Sequence, residues 1–143
     1  EFEDMMTLEL ETHHAESVEG PAMVTKVGDS LPGFGIVAAV MGVVITMGKI
    51  SEPPEVIGHS VGAALVGTFL GILLCYGLVG PLGNHMELKA NEDAKYLEAI
   101  KFAILAFAKD MPPQMAVEFA RRALLEDTKP SFKELEDAVR KKK

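Results

Sequence analysis

Two long stretches of this chain hold no Asp, Glu, Lys, Arg or His: Leu31 to Gly48 (LPGFGIVAAVMGVVITMG) and Ser60 to Leu82 (SVGAALVGTFLGILLCYGLVGPL). An ion path through a bilayer is usually marked by an intramembrane carboxylate, histidine or base acting as relay. These runs supply none. If the protein moves ions, the group that binds them belongs to a partner or to a part of the polypeptide not given. A single cysteine excludes an intrachain disulfide, and Cys75, in apolar surroundings, reads as a packing residue. Tryptophan is absent, so no belt of Trp anchors marks the interfaces; Phe34, Phe69 and Tyr76 sit inside the runs instead. A Gly-rich phosphate loop, a CxxC pair and a nucleophile elbow are also missing, and the chain reads as a non-enzyme without cofactor. The acidic N-terminus and late first apolar run argue against a cleavable signal peptide. A first residue of Glu rather than Met suggests a piece of a longer polypeptide.

What is present is length and apolarity. At about 1.5 Å of rise per residue the two runs reach roughly 27 and 35 Å, enough for a hydrocarbon core about 30 Å thick. The expected fold class is therefore all-α, a membrane protein with two transmembrane helices plus cytoplasmic helical flanks. The net charge of −7 is concentrated in residues 1–29, which hold eight acids and one base. The expected organisation is an acidic cytoplasmic flank (1–29), a transmembrane helix (30–48), a short external connector (49–59), a second transmembrane helix (60–82) and a cytoplasmic helical tail (83–143). Gly20-Pro21 is expected to break the flank.

The tail reads as three helical pieces. Leu97, Ile100, Ile104 and Phe107 recur at helical spacing in the first, and the second opens after Pro112-Pro113 with Met115 and Phe119 on one side. The third starts at Ser131, with Glu134 as a capping box, and ends in the basic run Arg140 to Lys143, suited to a helix C-terminus. The connector carries Lys49 alone, whereas Lys89, Lys95 and Lys101 follow the second run. The positive-inside rule then places both ends in the cytoplasm.

Candidate functional residues are polar or backbone features. Pro32 and Ala39, seven residues apart, fall within about 20° of one helix face, and Thr46 lies near the same line. Pro32 is equally suited to starting a helix, capped by Asp29 or Ser30. Pro81 cannot bond the carbonyl of Gly77, which frees that oxygen or simply ends the span. Thr68, the hydroxyl at mid-depth of the second run, either serves the path or bonds the Ala64 carbonyl of its own helix. Gly58, Gly62, Gly67 and Gly71 form small-xxx-small pairs that favour close helix contacts. His13 and His14, beside Glu9 and Glu11, read as a solvated face rather than a metal site. His59 and His85 read as interfacial, and the terminal Arg-Lys-Lys-Lys is too short to argue for nucleic acid.

Val27 to Val44 (VGDSLPGFGIVAAVMGVV) and Val66 to Leu82 (VGTFLGILLCYGLVGPL) resemble the last two transmembrane helices of the MotA family, stator subunits of the bacterial flagellar motor within the MotA/TolQ/ExbB group. ELETHH (Glu9 to His14), PPQMAVEFARRAL and KPSFKELEDAVR are similar as well, in the same order. The resemblance implies a torque-generating proton channel in the inner membrane: a homopentamer of A subunits around a MotB-type partner that carries the proton-accepting Asp, in contact with membrane lipid and the rotor switch protein FliG. It further implies that Pro32 and Pro81 are the functional prolines and that Thr68 lies near the partner's aspartate. Ala39 stands where sodium-driven relatives carry threonine, so H⁺ is the expected coupling ion. The rotor-contacting charges would lie mostly outside this chain. An ExbB/TolQ-type energiser of an outer-membrane process and a non-conducting scaffold are the alternatives.

Overall fold

The computed structural model describes residues 1–140, so the basic residues 141–143 proposed to complement the last helix lie outside the described residues. Five α-helices follow one another: α1 (Phe2–Met47), α2 (Pro54–Leu74), α3 (Gly80–Ala108), α4 (Pro113–Ala123) and α5 (Phe132–Arg140), with a π-helical turn, Cys75–Val79, joining α2 to α3. Two helical stretches, Phe2–Met47 and Pro54–Ala108, are long and apolar enough to cross a membrane. The all-helical class read from the sequence is what the structure adopts.

The chain divides into two compact units, one of Glu19–Glu87 and one of Glu1–Val18 with Leu88 onward. In the first, the later part of α1 packs antiparallel to α2, the π turn and the start of α3. The contacts run in opposite directions along the two elements: Gly20 to Met86, Thr25 to Gly83, Gly28 to Val79, Leu31 to Gly71, Ala38 to Gly67 and Gly42 to Ala64. Gly28, Gly35 and Gly42 repeat every seven residues and so return to nearly the same face of the helix. Missing side chains let the backbones meet. A methyl group on Gly71 would stand 2.6 Å from the Leu31 carbonyl oxygen, and one on Gly83 would stand 2.6 Å from Thr25 Oγ1. Of the four glycines singled out in the second run, Gly67 and Gly71 lie in this seam, while Gly58 and Gly62 face open space. In lipid, helices gain little from apolar burial, so close contact of this kind supplies the association.

That seam explains two departures from the sequence reading. Gly20-Pro21 does not break the chain, and Pro32 does not start a helix; both prolines lie inside α1. An internal proline removes one amide donor and crowds the carbonyl four residues back, at a cost of about 3 kcal/mol. Here Pro21 and Gly28 are buried and the helix is held on both sides of each proline by the seam. Tertiary contact overrides the local signal. The connector is a tight turn, closed by Lys49 N–H to the Thr46 carbonyl (2.9 Å) and Glu52 N–H to the Lys49 carbonyl (2.9 Å). Pro54 then supplies the first residue of α2, where its missing amide costs nothing.

In the second unit, the small residues Ala90, Ala99, Ala106 and Ala116 are buried together with Leu105. Lys101 Nζ donates to Thr7 Oγ1 at 2.7 Å, joining α3 to the first turns of α1. Asp110 ends α3 in the left-handed conformation (φ 57). Met111 N–H reaches the Ala106 carbonyl and Asp110 N–H the Phe107 carbonyl, which is the pair of bonds that closes a Schellman cap. Pro113 opens α4. The capping box expected at Ser131 is present: Ser131 N–H donates to Glu134 Oε2 (2.8 Å), and Glu134 N–H donates to Ser131 Oγ (3.3 Å).

Glu118 fastens α4. Its carboxylate accepts from Arg121 Nε (2.7 Å) and Nη2 (2.8 Å) and from Arg122 Nε (2.9 Å). Arg121 Nη1 also donates to the Pro130 carbonyl, tying α4 to the segment before α5. The hydrogen bonds from Arg121, then Arg122, hold Glu118 down to about 2 from its ordinary 4.5. Because the folded value lies below the unfolded one, this contribution is full above pH 4.5 and is lost as pH falls toward about 2. Hydrogen exchange of the α4 amides in the intact protein should therefore accelerate between those limits relative to unstructured amides, and Glu118→Gln should flatten that response.

Candidate ion-path site

The site expected from the sequence centres on the middle of the seam. Thr68, on α2, does not bond the Ala64 carbonyl of its own helix. Its Oγ1 donates to the Gly35 carbonyl of α1 at 3.2 Å, across the helix pair. The bond exists because the backbones are so close there: a methyl group at Gly35 would stand 2.8 Å from the Gly67 carbonyl oxygen and 3.0 Å from Thr68 Cα. Pro32 lies three residues before Gly35 and Ala39 four after it. At about 100° per residue, both fall within about 60° of Gly35 around the helix. Pro32 and Ala39 thus lie about one helical turn to either side of the Thr68–Gly35 contact, and all three residues are half-buried. Thr46, on the line drawn through Pro32 and Ala39, is buried, and its hydroxyl donates to the Gly42 carbonyl of its own helix at 2.8 Å.

Pro81 lies elsewhere. It stands thirteen residues beyond Thr68, about 20 Å along the helix at the usual rise, and it is exposed. It does not end the span, because helix continues from Gly80 to Ala108. The π turn immediately before it accounts for this. Gly80 N–H bonds the Cys75 carbonyl, one residue further back than α-helical pairing. The widened turn spares the proline from the usual clash with the preceding turn, a role in which π-bulges are often found at functional positions. Cys75, the one cysteine, is 3% exposed within it.

The π turn also meets the other proline's defect. Pro32 leaves the Gly28 carbonyl without its α-helical amide. Gly28 is buried against Val79, with a methyl at that position 3.7 Å from the Gly80 nitrogen. The π turn is therefore packed against the turn of α1 that holds Gly28. Sequence reasoning did not foresee either the π turn or the Gly28, Gly35, Gly42 repeat. The repeat was legible as a spacing of seven; the π turn follows from Gly80 standing before Pro81 under tight packing.

Away from the seam the helices are apolar and open. Phe34, Val37, Phe69 and Tyr76 are 68%, 60%, 64% and 73% exposed. Such a surface suits lipid or neighbouring helices rather than water. No group of His, Cys, Asp or Glu arranged to hold a metal occurs among the described residues.

Residues 1–99 match the family described as the MotA/TolQ/ExbB proton channel family. The chain belongs to this family. It is 44% identical over 140 residues to Motility protein A of Escherichia coli, an alignment covering 98% of this chain and 48% of that protein. The chain thus spans about half the length of this curated relative. The flagellar MotAB stator complex from Bacillus subtilis contains a similar fold (TM-score 0.74, 27% identity, 94% of this chain and 51% of that one). C. jejuni MotAB shares the fold at a TM-score of 0.80 and 22% identity, over 90% of this chain and 51% of that one. The part of this proton channel family member matched by the family profile contains the whole seam, from Gly20 to Met86.

A Cβ at Gly80 would stand 2.8 Å from the Cys75 carbonyl oxygen, whereas one at Gly77 meets nothing nearer than Leu73 Cδ1 at 3.5 Å. Gly80→Ala should therefore strain the π turn by about 1–3 kcal/mol and speed hydrogen exchange at the residue 80 amide. Gly77→Ala should leave that amide protected. Equal protection in both variants would contradict the π-helical pairing.

Proposed function

We propose that the chain forms the membrane-spanning part of a flagellar motor stator A subunit, which, with a MotB-type partner, conducts protons and turns their flow into torque on the rotor. The observation that carries this reading is an uncharged, glycine-seamed helix pair with threonine and proline defects along it, in a chain 44% identical to Motility protein A. Such a pair offers carbonyls and a few hydroxyls, Thr46 and Thr68 among them, but no carboxylate, histidine or base as relay. The proton-binding group then belongs to the partner, as an intramembrane aspartate.

The mechanism follows from the cost of charge in lipid. A carboxylate next to an apolar surface is expensive, and protonation removes that cost. The neutral acid can then move past the half-buried face that holds Pro32, Ala39 and Thr68. Release of the proton restores the charge and resets the contact. Pro32, through the carbonyl it leaves unpaired at Gly28, and Pro81, beside the π turn Cys75–Val79, give the helix pair places to change packing without breaking its seam. A homopentamer of A subunits around the partner would repeat this step about an axis, with FliG as the rotor element driven. In this reading the protein lies in the inner membrane, with residues 30–48 and 60–82 spanning the bilayer, residues 49–59 outside it, and 1–29 and 83–143 in the cytoplasm.

The motility names of its relatives support this reading over that of an ExbB/TolQ-type energiser. Sodium needs several oxygen ligands in place of its water shell, whereas a proton needs one acceptor and a water path. The Ala39 side chain offers no oxygen, and Thr68 is the one hydroxyl at mid-depth of the second run. Motility supported by the intact protein and its partner should persist in sodium-free medium and collapse with a protonophore. Swimming speed that tracks external sodium at constant proton-motive force would refute the assignment of H⁺.

A further inference from the structure

The residues that meet α1 change their spacing at the π turn. Ala64 and Gly71, both against α1, are seven residues apart, as are Val79 and Met86 on the far side. From Gly71 to Val79 the step is eight. The same excess separates Gly71 from Gly83. Twelve residues of unbroken α-helix would place those two glycines about 120° apart around the axis, whereas eleven would place them about 20° apart. Both nevertheless face α1, Gly71 at the Leu31 carbonyl and Gly83 at Thr25. The turn Cys75–Val79 takes up the extra residue, with Gly80 N–H reaching back to the Cys75 carbonyl.

We propose that this turn is a register switch, a single inserted residue that gives the helix pair two discrete packings. In the π register the seam stays closed from Gly42 to Thr25. In an all-α register the start of α3 would rotate by about 100°, carrying Val79 off Gly28 and Gly83 off Thr25. Pro81 is the positioning residue that selects between the two. In the all-α register its ring would crowd the Gly77 carbonyl, and its missing amide would leave that oxygen unpaired. The proline therefore penalises one register and leaves the other as the resting state. Its effect is on helix phase rather than on bending. Two packings related by one residue step form the kind of bistable element that switching requires. They belong to the helix pair itself, whatever ion it conducts.

Disulfide formation across the seam reads the register. A Cβ at Gly28 stands 3.5 Å from Val79 Cβ, within the roughly 3.5–4.5 Å that a disulfide requires. The Val79 Cγ1 atom that would crowd it is removed by the substitution. Gly28→Cys with Val79→Cys, in a Cys75→Ala background of the intact protein with its MotB-type partner in membranes, should therefore cross-link rapidly. Adding Pro81→Ala opens the all-α register and should slow the initial rate by roughly tenfold. Deleting Gly77 as well removes the extra residue, so an ordinary α-helix keeps both faces in phase and the rate should recover. Deleting both Gly77 and Leu78 overshoots by one step, and cross-linking should be slow again. The Gly67 and Gly71 amides, upstream of the turn, should stay protected from hydrogen exchange in every variant. An unchanged rate in Pro81→Ala, no recovery on deleting Gly77, or equal rates for the one- and two-residue deletions would overturn the proposal and leave the turn a fixed distortion. Loss of Gly67 and Gly71 protection in Pro81→Ala would overturn it too, by making the proline a support of the whole pair.

Discussion

The close approach of two helix backbones at the glycine seam is the constraint on which the membrane-spanning unit depends. With side chains absent at Gly28, Gly35, Gly42, Gly67 and Gly71, the helices meet through carbonyls and Cα atoms. Several consequences follow from that proximity. Thr68 can reach the Gly35 carbonyl. Two prolines can be held inside one long helix, because contacts on either side outweigh the lost amides. The π turn at Cys75–Val79 can pack against the buried Gly28. A seam built from small residues also leaves the large apolar side chains pointing away from it, where a bilayer or further helices can cover them.

Much of this was legible in the amino-acid sequence, for reasons that can be traced residue by residue. The two charge-free runs identify the membrane-length helices, because no other fold element uses so long an apolar stretch. The capping box at Ser131 and Glu134 and the helix start at Pro113 are local chemistry, and the structure reproduces both. The prolines misled for an equally physical reason. Gly20-Pro21 and Gly80-Pro81 are strong local breakers, but breaking strength is weighed against packing, which a single sequence does not display. Thr68 is the clearest case. Its own-helix bond to Ala64 is the ordinary outcome, and only the absence of a Cβ at Gly35, thirty-three residues away, makes the cross-helix bond possible. The candidate residues Pro32 and Ala39 lie about one turn to either side of the Thr68–Gly35 contact, whereas Pro81 lies on a separate turn.

The chemistry that follows is one of division of labour. This helix pair contributes shape, carbonyls and the Thr68 hydroxyl bonded across the seam, and it contributes no charge of its own at mid-depth. Such a pair, in the proposed account, conducts only once a titratable group is brought to it. In the proposed account that group is the partner's aspartate. Proton affinity is then a joint property of one residue on the partner and the surface presented here.

Proton flux into vesicles of defined internal pH tests that division most directly, with the intact protein reconstituted alone, with its MotB-type partner, and with the partner's intramembrane aspartate changed to asparagine. The account predicts flux from the complex that carries the aspartate and none from the protein alone or from the asparagine complex. Flux of similar size from the asparagine complex, or from the protein without its partner, would contradict it.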